Sequence, residues 1–163
     1  MISLTDREHT YADSVMNTMI WSPSLAIGID KIDQQHKEIL DCIVDLDDLV
    51  AVKDYQKMSE VITHLKRYIE IHFSYEEELM AASGFSNVDD HKKIHQSFIN
   101  RIELFAKEHD RGYDISSALM LELQVWWISH IRQEDMQYVC CVQRFLANKP
   151  AYSLLQKIKR IFN

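Results

Sequence analysis

Apolar residues recur every three or four positions along four long stretches of the chain, which is the spacing that lines one face of an α-helix. These stretches cover residues 31–51, 55–82, 88–109 and 115–146. The whole chain contains three glycines and two prolines, too few for a fold of many short strands and turns. Because short connections make consecutive helices neighbours, we predict an all-α fold, an antiparallel up-down-up-down four-helix bundle.

The segments on either side of this bundle have a different character. We divide the chain into an N-terminal arm (1–30), the bundle (31–146) and a C-terminal tail (147–163). The tail carries four basic residues and no acid after residue 148, and its apolar residues are at helical spacing, which predicts a short basic amphipathic helix. We expect that helix to lie on the bundle, with a membrane surface or a partner as the alternative. Three apolar residues of the arm are expected to pack on the bundle: Trp21, Leu25 and Ile27.

Charge and composition narrow the classes of partner. The 163 residues include 18 Lys and Arg against 25 Asp and Glu, a net charge of -7 that disfavours binding to nucleic acid. No apolar run approaches the roughly 20 residues of a membrane span, and charged residues interrupt the region where a signal peptide would lie. The three cysteines have no disulfide-like spacing and are interpreted as buried thiols. We therefore expect a cytoplasmic protein, with a monomer favoured.

Polar, metal-binding residue types interrupt the apolar stripe of every helix. Where two fall on one helix at positions i and i+4, both side chains lie on the same face. A lone inward histidine is usually hydrogen-bonded core, but five imidazoles and two carboxylates buried without a metal would carry a heavy desolvation cost. A ligand set of mostly imidazole nitrogens with two carboxylates favours a pair of iron ions, with manganese as the alternative metal. The candidate ligands are His36, His72, Glu76, His91, His95, His130 and Asp135.

The last two candidate ligands are five residues apart. On a regular α-helix five residues place His130 and Asp135 about 140° apart, so they cannot both face the core. We therefore predict a single π-helical turn between them, a feature that often marks a functional site.

The motifs that contain these residues resemble, in order, those of the hemerythrins, in particular the single-domain bacteriohemerythrins. The resemblance extends from Trp21 to Tyr138 with no ligand missing. The motifs that carry it are WSPSLAIGIDKIDQQH, HFSYEEELM, GFSNVDDHKKIH and WWISHIRQEDMQY.

This resemblance implies a cofactor and a function. One iron would be held by His91, His95 and His130, and the other by His36 and His72. Both irons would be bridged by Glu76, by Asp135 and by an oxo or hydroxo group. The implied function is reversible dioxygen binding for storage, delivery or sensing, with no catalytic residues and hence no enzyme. The alternatives are a di-iron oxidase, peroxidase or nitric oxide reductase, and an oxygen-responsive module that signals to a protein partner.

Apolar and aromatic residues within about one turn of the ligands are expected to form the oxygen pocket and exclude water, although packing as ordinary core explains them equally well. Trp127 stands where many relatives carry Leu and is expected to narrow the pocket. Glu77 and Glu78 are interpreted as a solvated face and His64 as a surface or core residue, with a role in supporting the ligands as the alternative for Glu77 and for His64. The pocket residues are Ile39, Phe73, Trp126, Trp127, Ile131 and Tyr138.

Overall fold

The structure is a computed structural model, and it describes residues 21–52 and 54–148. Helices form almost all of this part of the chain. Within those ranges there is no strand, the first helix packs against the second and the fourth, and the second packs against the third, which confirms the predicted all-α bundle. A 3-10 turn (Pro23–Leu25) precedes α1. The helices are α1 (Asp30–Val52), α2 (Tyr55–Ser83), α3 (Val88–Asp110), α4 (Ser116–His130) and α5 (Met136–Ala147).

The fourth long stretch is a single rod that changes its winding in the middle. A π-helical turn (Ile131–Asp135) joins α4 to α5, which confirms the turn predicted from the five-residue spacing. Because the π turn holds one more residue than an α turn, His130 and Asp135 both face the core. The turn is therefore what allows this helix to contribute two residues to one cluster.

Helix α2 shows how local sequence sets the ends of an element. The carboxylate of Asp54 accepts hydrogen bonds from the backbone N–H groups of Gln56 and Lys57, both at 3.1 Å. At the other end Gly84 adopts a left-handed conformation with φ of 76° and closes the last turn. These two local signals therefore set where α2 begins and ends.

The segment just before α1 closes the bundle over its core. Leu25, Ile27 and Ile29 are buried with the core residues. The carboxylate of Asp33 accepts the N–H groups of Ile27 and Gly28 at 2.7 and 3.0 Å. Gln143 on α5 donates to the Gly28 carbonyl at 3.2 Å, so this segment is tied to both α1 and α5.

Several predictions about the rest of the chain have different outcomes. Residues 1–20 of the arm and 149–163 of the tail lie outside the described residues, so the arm's remaining contacts and the basic helix stay predictions. The prediction of buried thiols is wrong for Cys140, which is exposed, while Cys42 and Cys141 are half-buried. Two adjacent helical positions differ by about 100°, so Cys140 and Cys141 cannot both face the core. Among the described helices, none is long and apolar enough to cross a membrane.

Candidate metal centre

Helices α1 to α4 and the π turn bring all seven candidate ligands into one cluster inside the bundle. Each of these side chains is buried, and none exceeds 4% exposure. The elements contribute them as follows: His36 from α1, His72 and Glu76 from α2, His91 and His95 from α3, His130 from α4, and Asp135 from the π turn.

The cluster divides into two groups that share one carboxylate. Ligand atoms of Glu76, His91, His95 and His130 all lie within 4.8 Å of one another, and so do those of His36, His72 and Glu76. Oε1 of Glu76 lies 3.5 Å from Nε2 of His72, whereas Oε2 lies 3.2 Å from Nε2 of His95. The two oxygens of Glu76 therefore face different groups of histidines.

Asp135 repeats this arrangement from the π turn of the fourth rod. Its Oδ2 is 3.4 Å from Nε2 of His36, in the smaller group. Its Oδ1 is 3.1 Å from Nε2 of His130 and 3.5 Å from Nε2 of His91, in the larger group. Two carboxylates thus face both groups at once, which is the arrangement that a pair of neighbouring cations requires.

Many polar atoms of the cluster lack any hydrogen-bond partner. A buried polar atom in that state costs about 1–3 kcal/mol, and more when it is charged, so a cluster of them is stable only if something else binds them. Nitrogen and carboxylate oxygen are ligands of iron, so this donor set fits a pair of iron ions. The atoms are Nδ1 and Nε2 of His36, Nε2 of His72, Oε2 of Glu76, Nε2 of His91, Nδ1 of His130, and both carboxylate oxygens of Asp135.

The protonation states suit metal binding. Burial, the largest cause, lowers the pKa of His72, His91 and His95 to about 4, so these rings are neutral at pH 7. For Asp135, burial alone would raise the pKa, but His130 and His36 lower it well below its usual value. These three histidines therefore offer neutral nitrogens beside an ionised carboxylate, whereas at His130 the effect of burial is outweighed by the contact with Asp135, which raises the pKa.

Side chains around the cluster orient three of its members. Nδ1 of His72 donates to Oε1 of Gln35 at 3.3 Å, and Nδ1 of His95 donates to Oε1 of Glu77 at 3.0 Å. These bonds place the hydrogen on Nδ1 and leave the Nε2 lone pair facing the cluster. On the other side Tyr138 donates to Oε1 of Glu76 at 2.6 Å.

Two of these supporting residues, Glu77 and Gln35, differ from what the sequence predicted. Glu77 is not a purely solvated residue, so only the alternative interpretation, a supporting role, agrees with its contact to His95. Gln35 was missed altogether, although it immediately precedes a candidate ligand, because its target lies on a different helix. His64 is exposed and takes no part in the cluster.

The predicted pocket residues surround the cluster unevenly. Phe73 stacks on His95 with ring centroids 3.7 Å apart, and Trp126 stacks on His130 at 4.3 Å. Trp127 contacts the rings of His36 and His72, and the Tyr138 ring lies 5.6 Å from that of His91. Ile39 and Ile131 are buried in the core. Of the six, only Trp126 is partly exposed.

Comparison with known proteins agrees with this geometry. Residues 27–142 match the family described as the hemerythrin HHE cation binding domain. A bacteriohemerythrin of Pseudomonas aeruginosa is 36% identical over 132 residues, which cover 81% of this chain and 86% of that protein. A bacteriohemerythrin of Clostridium acetobutylicum is 36% identical over 126 residues, 74% of this chain and 98% of that protein.

More distant relatives share the fold. A myohemerythrin of Theromyzon tessulatum is 29% identical over 118 residues, covering 72% of this chain and 88% of that protein. A crystal structure of wild-type hemerythrin superposes with a TM-score of 0.71 at 23% identity, over 75% of this chain and 95% of that one. The class that the fold and the cluster define is a four-helix-bundle protein with a non-haem di-iron centre. The chain belongs to the hemerythrin family.

Proposed function

We propose that this protein binds dioxygen reversibly at two iron ions, for oxygen storage, delivery or sensing. Three histidines (His91, His95 and His130) would hold one iron and two (His36 and His72) the other, and Glu76 and Asp135 would each offer an oxygen to both. The observation that carries the proposal is this unequal division, in which the two groups that share Glu76 contain three and two histidines. The smaller group leaves a coordination position open for a small ligand. A ferrous pair in this site supplies the electrons with which dioxygen binds.

The residues of the chain favour binding over turnover. Glu76 and Asp135 are the two carboxylates in the cluster, so they balance only part of the charge of two iron ions. A site with little negative charge stabilises high oxidation states of iron poorly, which disfavours oxygen activation. The buried rings of Phe73 and Trp127 exclude water from the open side and so limit side reactions.

The test is an optical spectrum of the iron-loaded protein, reduced without air, then exposed to air and finally returned to argon. We expect absorption bands that appear in air and disappear under argon through repeated cycles. A His64→Ala variant, altered at an exposed histidine outside the cluster, is expected to cycle in the same way. A His91→Ala variant is expected to lose the bands together with part of its iron.

Other outcomes of the same measurement would contradict the proposal. An irreversible change of the spectrum in air would favour a redox sensor or an enzyme. Continuous oxygen consumption in the presence of a reductant, followed with an oxygen electrode, would favour an oxidase or peroxidase. Iron-loaded protein whose spectrum does not respond to air at all would exclude dioxygen binding.

Sensing differs from storage in requiring a protein partner that distinguishes the two ligand states. The comparison that separates them is a pull-down with oxygenated and deoxygenated protein, each with and without residues 149–163. A partner retained in one ligand state alone supports sensing. Equal retention in both states supports storage or delivery.

A further inference from the structure

Trp127 places a hydrogen-bond donor, its indole N–H, inside the bundle. Its side chain is completely buried, and its indole Nε1 has no hydrogen-bond partner among the described residues. Buried N–H groups are almost always paired in folded proteins, and an unpaired one destabilises the fold. Leu or Phe would fill a core position without this penalty, so the indole N–H needs a partner that the described residues do not supply.

The location of this indole limits what that partner can be. Its ring lies 5.4 Å from the ring of His36, nearly perpendicular to it at 87°, and 5.2 Å from the ring of His72. These are the two histidines of the smaller group, and the Nε2 atoms of both also lack partners. The indole ring therefore lies beside the smaller group of histidines, on the side where the proposed function has its open coordination position.

The nearby carboxylates do not bind this donor. Both oxygens of Asp135 and Oε2 of Glu76 are themselves without hydrogen-bond partners, and Oε1 of Glu76 accepts from Tyr138. The indole N–H therefore forms no hydrogen bond with these carboxylates, and it is available to a ligand between the helices.

We propose that Trp127 Nε1–H donates a hydrogen bond to a small ligand, dioxygen or an anion such as azide, that occupies the open side beside His36 and His72. Trp127 is then a specificity-determining residue, because the bond favours ligands whose outer atom is a good hydrogen-bond acceptor. This inference rests on the proposed function and gives one of the predicted pocket residues a hydrogen-bonding role toward the ligand.

The experiment measures azide binding to the oxidised, iron-loaded protein by optical titration and stopped flow. Trp127→Phe and Trp127→Leu both remove the N–H, one keeping an aromatic ring and the other replacing it with an aliphatic side chain. We expect both variants to bind azide about tenfold more weakly, mainly through faster dissociation, as the loss of one hydrogen bond to an anion predicts. Trp21→Phe is the matched control, because Trp21 is a half-buried tryptophan beside Lys37 and outside the cluster.

A second readout does not depend on affinity. The infrared stretching band of bound azide is expected to shift when H₂O is replaced by D₂O in the natural protein, since a hydrogen bond to an exchangeable indole proton couples to it. The shift should be absent in Trp127→Phe and present in Trp21→Phe. Iron content measured on each sample verifies that the two irons are in place.

The results separate this inference from the proposed function. Unchanged azide affinity in both Trp127 variants, or the absence of a D₂O shift in the natural protein, would overturn the role of the indole and leave dioxygen binding intact. Failure of the fully loaded natural protein to bind either dioxygen or azide would instead overturn the proposed function.

Discussion

At the scale of single residues, the candidate metal centre depends on how each histidine is protonated and held. Burial keeps His72, His91 and His95 neutral by lowering the pKa of each to about 4. Gln35 and Glu77 then accept from the Nδ1 atoms of His72 and His95, which leaves the Nε2 lone pairs facing inward. Removing one of these acceptors should weaken metal binding without removing a ligand.

Glu77→Ala is expected to lower iron affinity by a factor on the order of 10 to 100, because the His95 ring loses the acceptor that orients it. Competition between the protein and a chelator of known affinity measures the change. Glu78→Ala is the matched control, since Glu78 is the next residue of the same helix and is exposed. Equal iron affinity in the two variants would show that the contact between Glu77 and His95 has no role in metal binding.

Tyr138→Phe is expected to destabilise the protein by about 1.5–3 kcal/mol, the range for a hydrogen bond to a charged group. Burial first, and then the charge of Glu76, raises the pKa of Tyr138 well above its usual value, so the hydroxyl remains a donor at neutral pH. Urea unfolding of the metal-free protein measures the difference. Tyr55→Phe, which removes a bond from an exposed tyrosine to the His109 carbonyl, is the control and is expected to cost under about 1 kcal/mol.

At the scale of elements, the π turn between α4 and α5 decides whether the fourth rod can contribute both its candidate ligands. A regular α-helix advances about 100° per residue, so residues five apart face different directions. The turn Ile131–Asp135 absorbs this difference, and beyond it Tyr138 and Val142 face the core again. The length of this turn is therefore coupled to the packing of all of α5.

Changing the length of the turn should have unequal effects in the two directions. Deletion of Gln133, which is exposed, leaves a four-residue spacing, so that on a regular α-helix His130 and Asp135 lie about 40° apart on one face. Insertion of alanine after Gln133 gives a six-residue spacing and turns α5 by a further 100° or so, which exposes its buried face. We expect the deletion to fold and bind iron, and the insertion to lose both helical content by circular dichroism and iron. Similar losses in both variants would contradict this account of the turn.

At the scale of the whole molecule, the cluster joins the helices into one cooperative unit. The seven candidate ligands come from four helical rods, and their unpaired atoms are buried between those rods. Without metal these atoms oppose folding, and with metal they become links between helices. The free energy of metal binding at the cluster should therefore add to the free energy of unfolding of the whole bundle.

Removal of iron is expected to lower the thermal unfolding temperature. At free iron 100 times the dissociation constant the stabilisation is about 2.7 kcal/mol, and a chain of this size changes by about 2–4 °C per kcal/mol, so a decrease of about 5–11 °C follows. Calorimetry of loaded and chelator-treated protein measures it. In a double variant, His91→Ala with His95→Ala, the unfolding temperatures of loaded and chelator-treated protein should differ less. An equal difference would indicate that iron binds elsewhere.

Much of the fold could be predicted because its signals are local. The predicted helix of residues 55–82 is observed as Tyr55–Ser83, and its ends are set by Asp54 and Gly84 through contacts within a few residues. The π turn was equally predictable, because it follows from counting residues between two polar positions of an apolar stripe. The seven candidate ligands came from the same pattern, since polar residues at core positions stand out against apolar neighbours.

Contacts between different helices were less predictable. The acceptor role of Glu77 and that of Gln35 depend on which neighbouring helix faces them, and an acidic or amide side chain beside a ligand has no periodicity of its own. The exposure of Cys140 follows from the rotation of α5 after the π turn, which composition cannot express.

The sequence by itself determined the number of helices, their ends, the change of winding in the fourth rod and the set of residues able to bind metal, because each depends on spacing along one chain. The tertiary structure alone decided how Glu76 and Asp135 divide their oxygens between two groups of histidines, and which rings the indole of Trp127 contacts. Those distances depend on how four rods are rotated and shifted against one another. Packing of the whole core sets that arrangement, and no single helix encodes it.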